Sequence, residues 1–201
     1  MNEVNCDSLK QFDLAFPGHW IKGEDRDEAF QTQQILSLIQ DLFTEAVVSY
    51  VLFQPITSEN VRDYIARFEK RDESPYERCL NGLYAKAFVF ALDGIEKLLN
   101  RLSENLNPPK EINRLYEEYK KYFGHLKHIR DSAIHIEDRG RGVTRKGKRL
   151  DTNIIVLGCF NERRYTFTGE DGMQYEIEIS ESTLNTAKSI IQDIINSYSW
   201  T

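Results

Sequence analysis

Apolar residues recur at intervals of three and four over long stretches of this chain, and their grouping predicts most of its elements. Ile35, Ile39, Leu42, Ala46 and Tyr50, with Leu36, Phe43 and Val47 beside them, fall on one face of a helix that begins near Ala29 and stops before Pro55. A shorter helix is expected after Ser58, carrying Val61, Tyr64, Ile65 and Phe68. Ser74-Pro75-Tyr76-Glu77 reads as a helix start, because Ser can cap free N–H groups, Pro suits the first turn and Glu completes a capping box. The helix it opens keeps its period through Leu80, Leu83, Tyr84, Ala87, Phe88, Ala91, Ile95, Leu98, Leu99 and Leu102, until Asn107-Pro108-Pro109 breaks it. Another long helix starts near Lys110, carries Ile112, Leu115, Tyr116, Tyr119, Tyr122, Phe123, Leu126, Ile129 and Ala133, and ends between His135 and Gly140.

The period then changes to two. Residues 153–160 form an apolar run, 163–168 alternate through Tyr165 and Phe167, and 173–179 set Met173, Tyr175, Ile177 and Ile179 against Gln174, Glu176 and Glu178. Turns at Asn161-Glu162 and Gly169-Glu170-Asp171-Gly172 make this a small antiparallel β-meander. Ser180 opens a last helix with Leu184, Ala187, Ile190, Ile191, Ile194, Ile195 and Tyr198. The predicted fold is therefore mainly α, a helical bundle with a β-meander inserted before its final helix. Residues 1–27 lack a sustained period and contain Pro17-Gly18, so they read as an irregular arm with one short helical turn, packed through Phe12, Leu14, Phe16 and Trp20. Residues 28–201 form the bundle domain, including a basic loop at 139–149 and the meander at 153–179.

Composition narrows the class. At 201 residues, with 40% hydrophobic and 29% charged positions, the chain has enough apolar content for a buried core and is not collagen-like, low-complexity or wholly disordered. No uninterrupted apolar run approaches the roughly 18 residues of a membrane helix. Met1-Asn2-Glu3-Val4 lacks the form of a signal peptide, and a cytoplasmic protein without a membrane partner is the expectation. Cys6, Cys79 and Cys159 form no CxxC pair, so reduced, mostly buried thiols are expected. A formal charge of −6 disfavours coating by nucleic acid, yet Arg139, Arg141, Arg145, Lys146, Lys148 and Arg149 crowd one stretch that contains no acid. That stretch reads either as a flexible phosphate-contacting loop or as a solvated connection to the sheet.

Three of the four histidines, His125, His128 and His135, lie on the helix from Lys110. On a straight helix His128, Asp131 and His135 fall within about 60° of one another, away from an apolar face centred near Tyr122, Ile129 and Ala133. Arg130 lies at the margin of that face, placed to be partly buried. The stripe could hold a metal, but there is no HExxH pattern and no fourth ligand; the plain alternative is a solvated face on which Asp131 pairs with His135. Tyr116, Tyr119, Tyr122 and Phe123 could stack on bases if exposed, though their spacing favours core packing.

The run Ile129-Arg130-Asp131-Ser132-Ala133-Ile134-His135 resembles the signature of the HEPN (higher eukaryotes and prokaryotes nucleotide-binding) superfamily: an Arg, a polar residue, and a His a few residues later. Ile136-Glu137-Asp138-Arg139 looks like the continuation in some bacterial members. The resemblance implies a four-helix bundle, often dimeric, and for many members a metal-independent endoribonuclease of toxin–antitoxin or anti-phage systems. It implies Arg130, Asp131 and His135 as catalytic residues, no metal or other cofactor, RNA as substrate, and an antitoxin or other protein as a candidate partner. The chemistry suits the residue types. RNA supplies its own 2′-OH nucleophile, imidazole transfers protons near neutral pH, and Arg holds phosphoryl oxygens through two N–H groups. Asp131 can orient an imidazole, and Arg139, Arg141, Arg145 and Lys146 are the candidate phosphate contacts.

Five residues on a straight helix turn by about 140°, so Arg130 and His135 would not converge within one chain. Either the helix distorts near Ala133, or two copies face each other in a homodimer with a composite site. The rival readings are a non-catalytic HEPN-like dimeric module that binds nucleotide, RNA or protein, and an unrelated helical regulator.

Overall fold

The computed structural model describes residues 9–23, 25–53, 62, 65–66, 75–104 and 108–201, with the side chains of Pro75, Glu77 and Arg78 excepted. A 3-10 turn at Lys10–Phe12 precedes helices α1 (Arg26–Leu52), α2 (Pro75–Ser103), α3 (Ile112–Phe123), α4 (Leu126–Ile134) and α5 (Ile136–Gly140). Strands β1 (Leu157–Asn161), β2 (Arg164–Thr168) and β3 (Gln174–Glu178) follow, then α6 (Glu181–Ser197). The chain is mainly helical with one small antiparallel sheet before the last helix, the order the periodicity predicts. Of the expected short helix after Ser58, Val61, Tyr64 and Phe68 lie outside the described residues, as do Ser74 and Cys6, while Ile65 is exposed.

The chain divides into two units, one of Met1–Val47, Ala91–Gly124 and Glu181–Thr201, the other of Val48–Phe90 and His125–Ser180. In the first, segments of α1 and α2 join α3 and α6 around an apolar interior. Leu36, Ile39 and Phe43 of α1, Leu92, Ile95 and Leu99 of α2, Leu115 and Phe123 of α3, and Leu184, Ile191 and Ile194 of α6 are all buried. Burying one such side chain contributes about 1.5–3 kcal/mol. α1 and α2 approach closely at Gly94, where an added Cβ would lie 2.9 Å from Leu42 Cδ1. On α3, Tyr119 is buried and its hydroxyl donates to the Leu92 carbonyl at 3.0 Å. Tyr116 donates to the Glu96 carboxylate at 3.0 Å, and burial first, then that carboxylate, pushes the phenol up to about 12.

The N-terminal arm belongs to this unit. Phe12 and Leu14 are buried as expected, and Gln192 of α6 brackets the Ala15 backbone, accepting its N–H at 2.8 Å and donating to its carbonyl at 2.7 Å. Ile21 pairs with Trp200 as an antiparallel bridge, and Phe16 meets the Trp200 ring edge-on, whereas Trp20 stays exposed.

No apolar run in α1 is long, yet by length and average composition alone α1 is apolar enough to cross a membrane. The run-based reading was broken by isolated polar residues that barely lower the average over 18 positions. About 33% of that apolar window is buried within the protein, along the face of Leu36, Ile39, Phe43, Ala46 and Val47.

In the second unit α4 lies against the sheet, whose strands are ordered β1-β2-β3. Tyr165 and Phe167 of β2 and Ile177 of β3 are buried, as are Leu126, Ile129 and Ser132 of α4. β1 carries a bulge at Gly158, whose φ of 71° is one that glycine adopts freely; a Cβ there would lie 3.1 Å from the Phe167 ring.

The single long helix expected from Lys110 is three helices. Gly124 closes a turn after α3, where a Cβ would come within 2.6 Å of the Lys120 carbonyl oxygen, and a second break falls at His135. Each piece buries its face against different partners, so one helical wheel does not serve them all. Ile129 is fully buried while Tyr122, at nearly the same wheel angle, is 49% exposed. Leu80 and Leu83 of α2 are also exposed. Cys79 and Cys159 are exposed free thiols, contrary to the expectation of burial, because each lies on the open side of its element.

Candidate functional site

Every candidate catalytic and phosphate-contacting residue lies in the second unit, around the three consecutive segments α4, α5 and the basic stretch, whereas Tyr116, Tyr119, Tyr122 and Phe123 belong to the first. Along α4 the buried positions Leu126, Ile129 and Ser132 set the face toward the sheet, which leaves Arg130 at its edge with 19% of its side chain exposed. This is the partial burial that the periodicity predicts. Its Nε and Nη2 both donate to Asp131 Oδ1, at 2.9 and 2.5 Å. The Asp131 carboxylate therefore meets the neighbouring guanidinium rather than the His135 ring, and the link from Asp131 to His135 is a backbone one, His135 N–H to the Asp131 carbonyl at 3.0 Å.

α4 stops at Ile134. His135 has φ −104° and ψ 43°, outside the helical region, and α5 begins at the next residue. The helix therefore breaks at His135 itself, one turn past Asp131, rather than near Ala133. The break leaves the His135 ring half-exposed, with its nitrogen and the carboxylate oxygens of Glu137 and Asp138 all within 4.8 Å of one another. Glu137 and Asp138 occupy the first turn of α5, where negative charge complements the free N–H groups. Asp138 is also paired with Arg141 at 2.6 Å. The only group of three metal-ligating side chains found among the described residues is this one, not the stripe of His128, Asp131 and His135, and one of its carboxylates is already neutralised.

The basic stretch is a hydrogen-bonded hairpin rather than a flexible loop. Val143 bridges Arg149, Thr144 N–H donates to the Lys148 carbonyl at 2.7 Å, and Leu150 N–H donates to the Gly142 carbonyl at 2.8 Å. Arg141, Arg145, Lys146, Lys148 and Arg149 are exposed on it. Arg139 is not an exposed phosphate contact: it is 1% exposed, donating from Nη1 to the Val143 carbonyl at 2.8 Å and from Nε to Ser132 Oγ at 3.3 Å. Ser132 Oγ in turn donates to the Thr168 carbonyl at 2.8 Å. The physical reason is its place on the inner side of α5, where the guanidinium supplies donors to the Val143 carbonyl and the buried Ser132 hydroxyl.

A second group of side chains has no counterpart in the sequence reading as a site. Lys127, His128 and Asp131 of α4 face Glu170 and Asp171 of the β2–β3 turn across an open cleft of about 450 Å³. The His128 ring stacks on Tyr175, with centroids 4.2 Å apart and planes 7° from parallel. The Tyr175 hydroxyl donates to Asp171 Oδ2 at 2.5 Å and Met173 N–H donates to Oδ1 at 3.0 Å. Partial burial works against the Asp171 carboxylate, but these hydrogen bonds, with His128 nearby, outweigh it and hold its pKa below the ordinary value. Tyr175 is correspondingly shifted upward by the same bond. His125 makes a 3.0 Å contact from Nε2 to the Glu176 carbonyl, which requires that nitrogen to carry the proton, and burial lowers its pKa. The spacing of Lys127, His128 and Asp131 shows that they share a helix face; what faces them is set by strand pairing some 40 residues later in the chain.

No family model, no curated protein and no solved structure matches the chain.

Proposed function

We propose that the protein is a HEPN-like, metal-independent endoribonuclease, of a toxin or defence type, acting as a homodimer in the cytoplasm. The observation that carries this reading is the helix break at His135. It frees a half-exposed imidazole directly after the half-buried Arg130–Asp131 pair, in the same unit as an exposed basic hairpin. In this reading His135 moves the proton during attack of the 2′-OH on the adjacent phosphate, leaving a 2′,3′-cyclic phosphate and a 5′-hydroxyl. Arg130 exchanges Asp131 for phosphoryl oxygens, with Asp131 holding it poised until RNA arrives. Arg141, Arg145 and Lys146 contact neighbouring phosphates.

The direct engagement of Arg130 by Asp131 also favours a second reading, a non-catalytic dimeric module for nucleotide, RNA or protein, since a guanidinium so neutralised is a structural cation until displaced. Incubating the purified protein and its His135→Ala variant with mixed cellular RNA in EDTA separates the two. Cleavage by the parent alone, with cyclic phosphate ends, is the expected result; no cleavage by either protein favours the binding module.

A further inference from the structure

We propose that Asp131, Asp138 and Glu170 are built-in competitors for RNA phosphate, which hold the free chain in a low-affinity form. The inference rests on the RNA reading above and adds its regulation. Of the four residues given phosphate contacts there, Arg130, Arg141 and Arg145 are already engaged by a carboxylate of the same unit. Arg130 donates from Nε and Nη2 to Asp131 Oδ1, and Arg141 donates from Nη2 to Asp138 Oδ1 at 2.6 Å. The Arg145 main-chain N–H donates to Glu170 Oε1 at 3.0 Å. Carboxylate and phosphate oxygens suit the same donors, whether the planar fork of a guanidinium or an N–H at a tight turn. Arg145 is of the second kind, since Gly147 N–H closes the hairpin turn on the Thr144 carbonyl at 2.9 Å.

Helix spacing alone does not impose these contacts. Side chains at neighbouring positions of a helix diverge by about 100°, so Arg130 must bend around α4 to reach Asp131. Glu170 comes from the β2–β3 turn, 25 residues beyond Arg145. Only Asp138 and Arg141 have the ordinary i,i+3 spacing. The ion pairs lie at the surface, with the side chains of Asp131 and Arg141 50% and 71% exposed, where such a pair contributes little and a polyanion displaces it. They are therefore a brake on binding rather than a block. Lys146, Lys148 and Arg149 are exposed and form no ion pair among the described residues, so they draw the polyanion in before the carboxylates are exchanged.

The test is fluorescence anisotropy of a labelled single-stranded 2′-O-methyl oligoribonucleotide, which presents phosphates and lacks the nucleophile for cleavage, titrated with the full chain. Asp131→Asn, Asp138→Asn and Glu170→Gln are each expected to bind about three- to tenfold tighter than the parent. Glu162→Gln makes the same change of charge at the opposite end of β2 from Glu170, beyond the screening length at physiological salt, and is expected to shift affinity less than about twofold. The gain from Asp138→Asn should vanish in an Arg141→Ala background, because the released guanidinium is its source. Equal affinities for the parent and the three variants, an equal gain in Glu162→Gln, an Asp138→Asn gain that survives Arg141→Ala, or no binding by any of the proteins overturns the inference. Because binding is read without turnover, tighter variants of a protein that cleaves nothing sustain the competition while removing the nuclease reading. Cleavage by the parent with no variant binding tighter does the reverse.

Discussion

The two units of this chain are built on different terms. In the first, interior positions are almost all aliphatic or aromatic, and the buried Asp93 has Lys97 at 2.6 Å. In the second, a buried Arg139, Ser132 and Thr168 form a hydrogen-bonded chain, and a helix breaks at His135. The difference teaches where chemistry can be placed. A helix held by continuous apolar packing has no reason to stop, whereas one whose face turns from strand to hairpin must break, and the break exposes His135.

The comparison can be strained first at its largest expected effect. Arg139→Ala removes the donor that satisfies Val143 and Ser132 and leaves a cavity, at an expected cost of about 4 kcal/mol in urea denaturation. Arg139→Lys should recover less than half of that, because an ammonium cannot reach both acceptors as a planar fork does. A loss below about 1 kcal/mol for Arg139→Ala would show that the polar chain does not hold this unit together. In the first unit, Ile191→Ala should cost about 3 kcal/mol by lost burial and cavity formation alone. Gly158→Ala, which forces a positive φ on a side chain that also meets the Phe167 ring, should cost about 2 kcal/mol by the same measurement.

The smallest effect is a pH dependence confined to the second unit. His125 has its pKa lowered in the folded protein, so the unfolded chain takes up its proton first as pH falls. Its contribution is intact above the ordinary imidazole pKa of about 6.5 and is lost as pH falls from there through the folded value. His125→Gln is therefore expected to flatten the decline of the thermal midpoint between about pH 7 and 5. An unchanged slope would place the acid sensitivity elsewhere.

How much of this was legible in the sequence follows the same division. The face of α6 is buried residue for residue as its period predicts, with only Tyr198 half-buried, because one apolar face against one neighbourhood is what a helical wheel encodes. The second and third strands were equally clear, since alternation and turn residues agree, whereas the apolar run at 153–160 yields a strand only at Leu157–Asn161 and leaves Ile154 and Ile155 exposed. The helix from Lys110 was misread because apolar spacing runs nearly undisturbed across Gly124 and His135, and no local signal tells that the partner changes. Arg130's half-burial was readable from its position on the wheel; Arg139's burial was not, since its acceptors include the hairpin that follows it. The cleft at His128 and Asp171 was unreadable for the reason that governs all strand pairing: its two walls meet only once the sheet has formed.

The central claim is that His135 and Arg130 do chemistry that the fold does not need. It is tested most directly by measuring RNA cleavage and thermal midpoint together in Arg130→Ala and His135→Ala. The account predicts that each variant loses cleavage while its midpoint stays within a few degrees of the parent, since His135 is half-exposed and Arg130 lies at the edge of the buried face, paired with a half-exposed Asp131. Cleavage retained in either variant, or an Arg130→Ala protein that fails to fold, would contradict it.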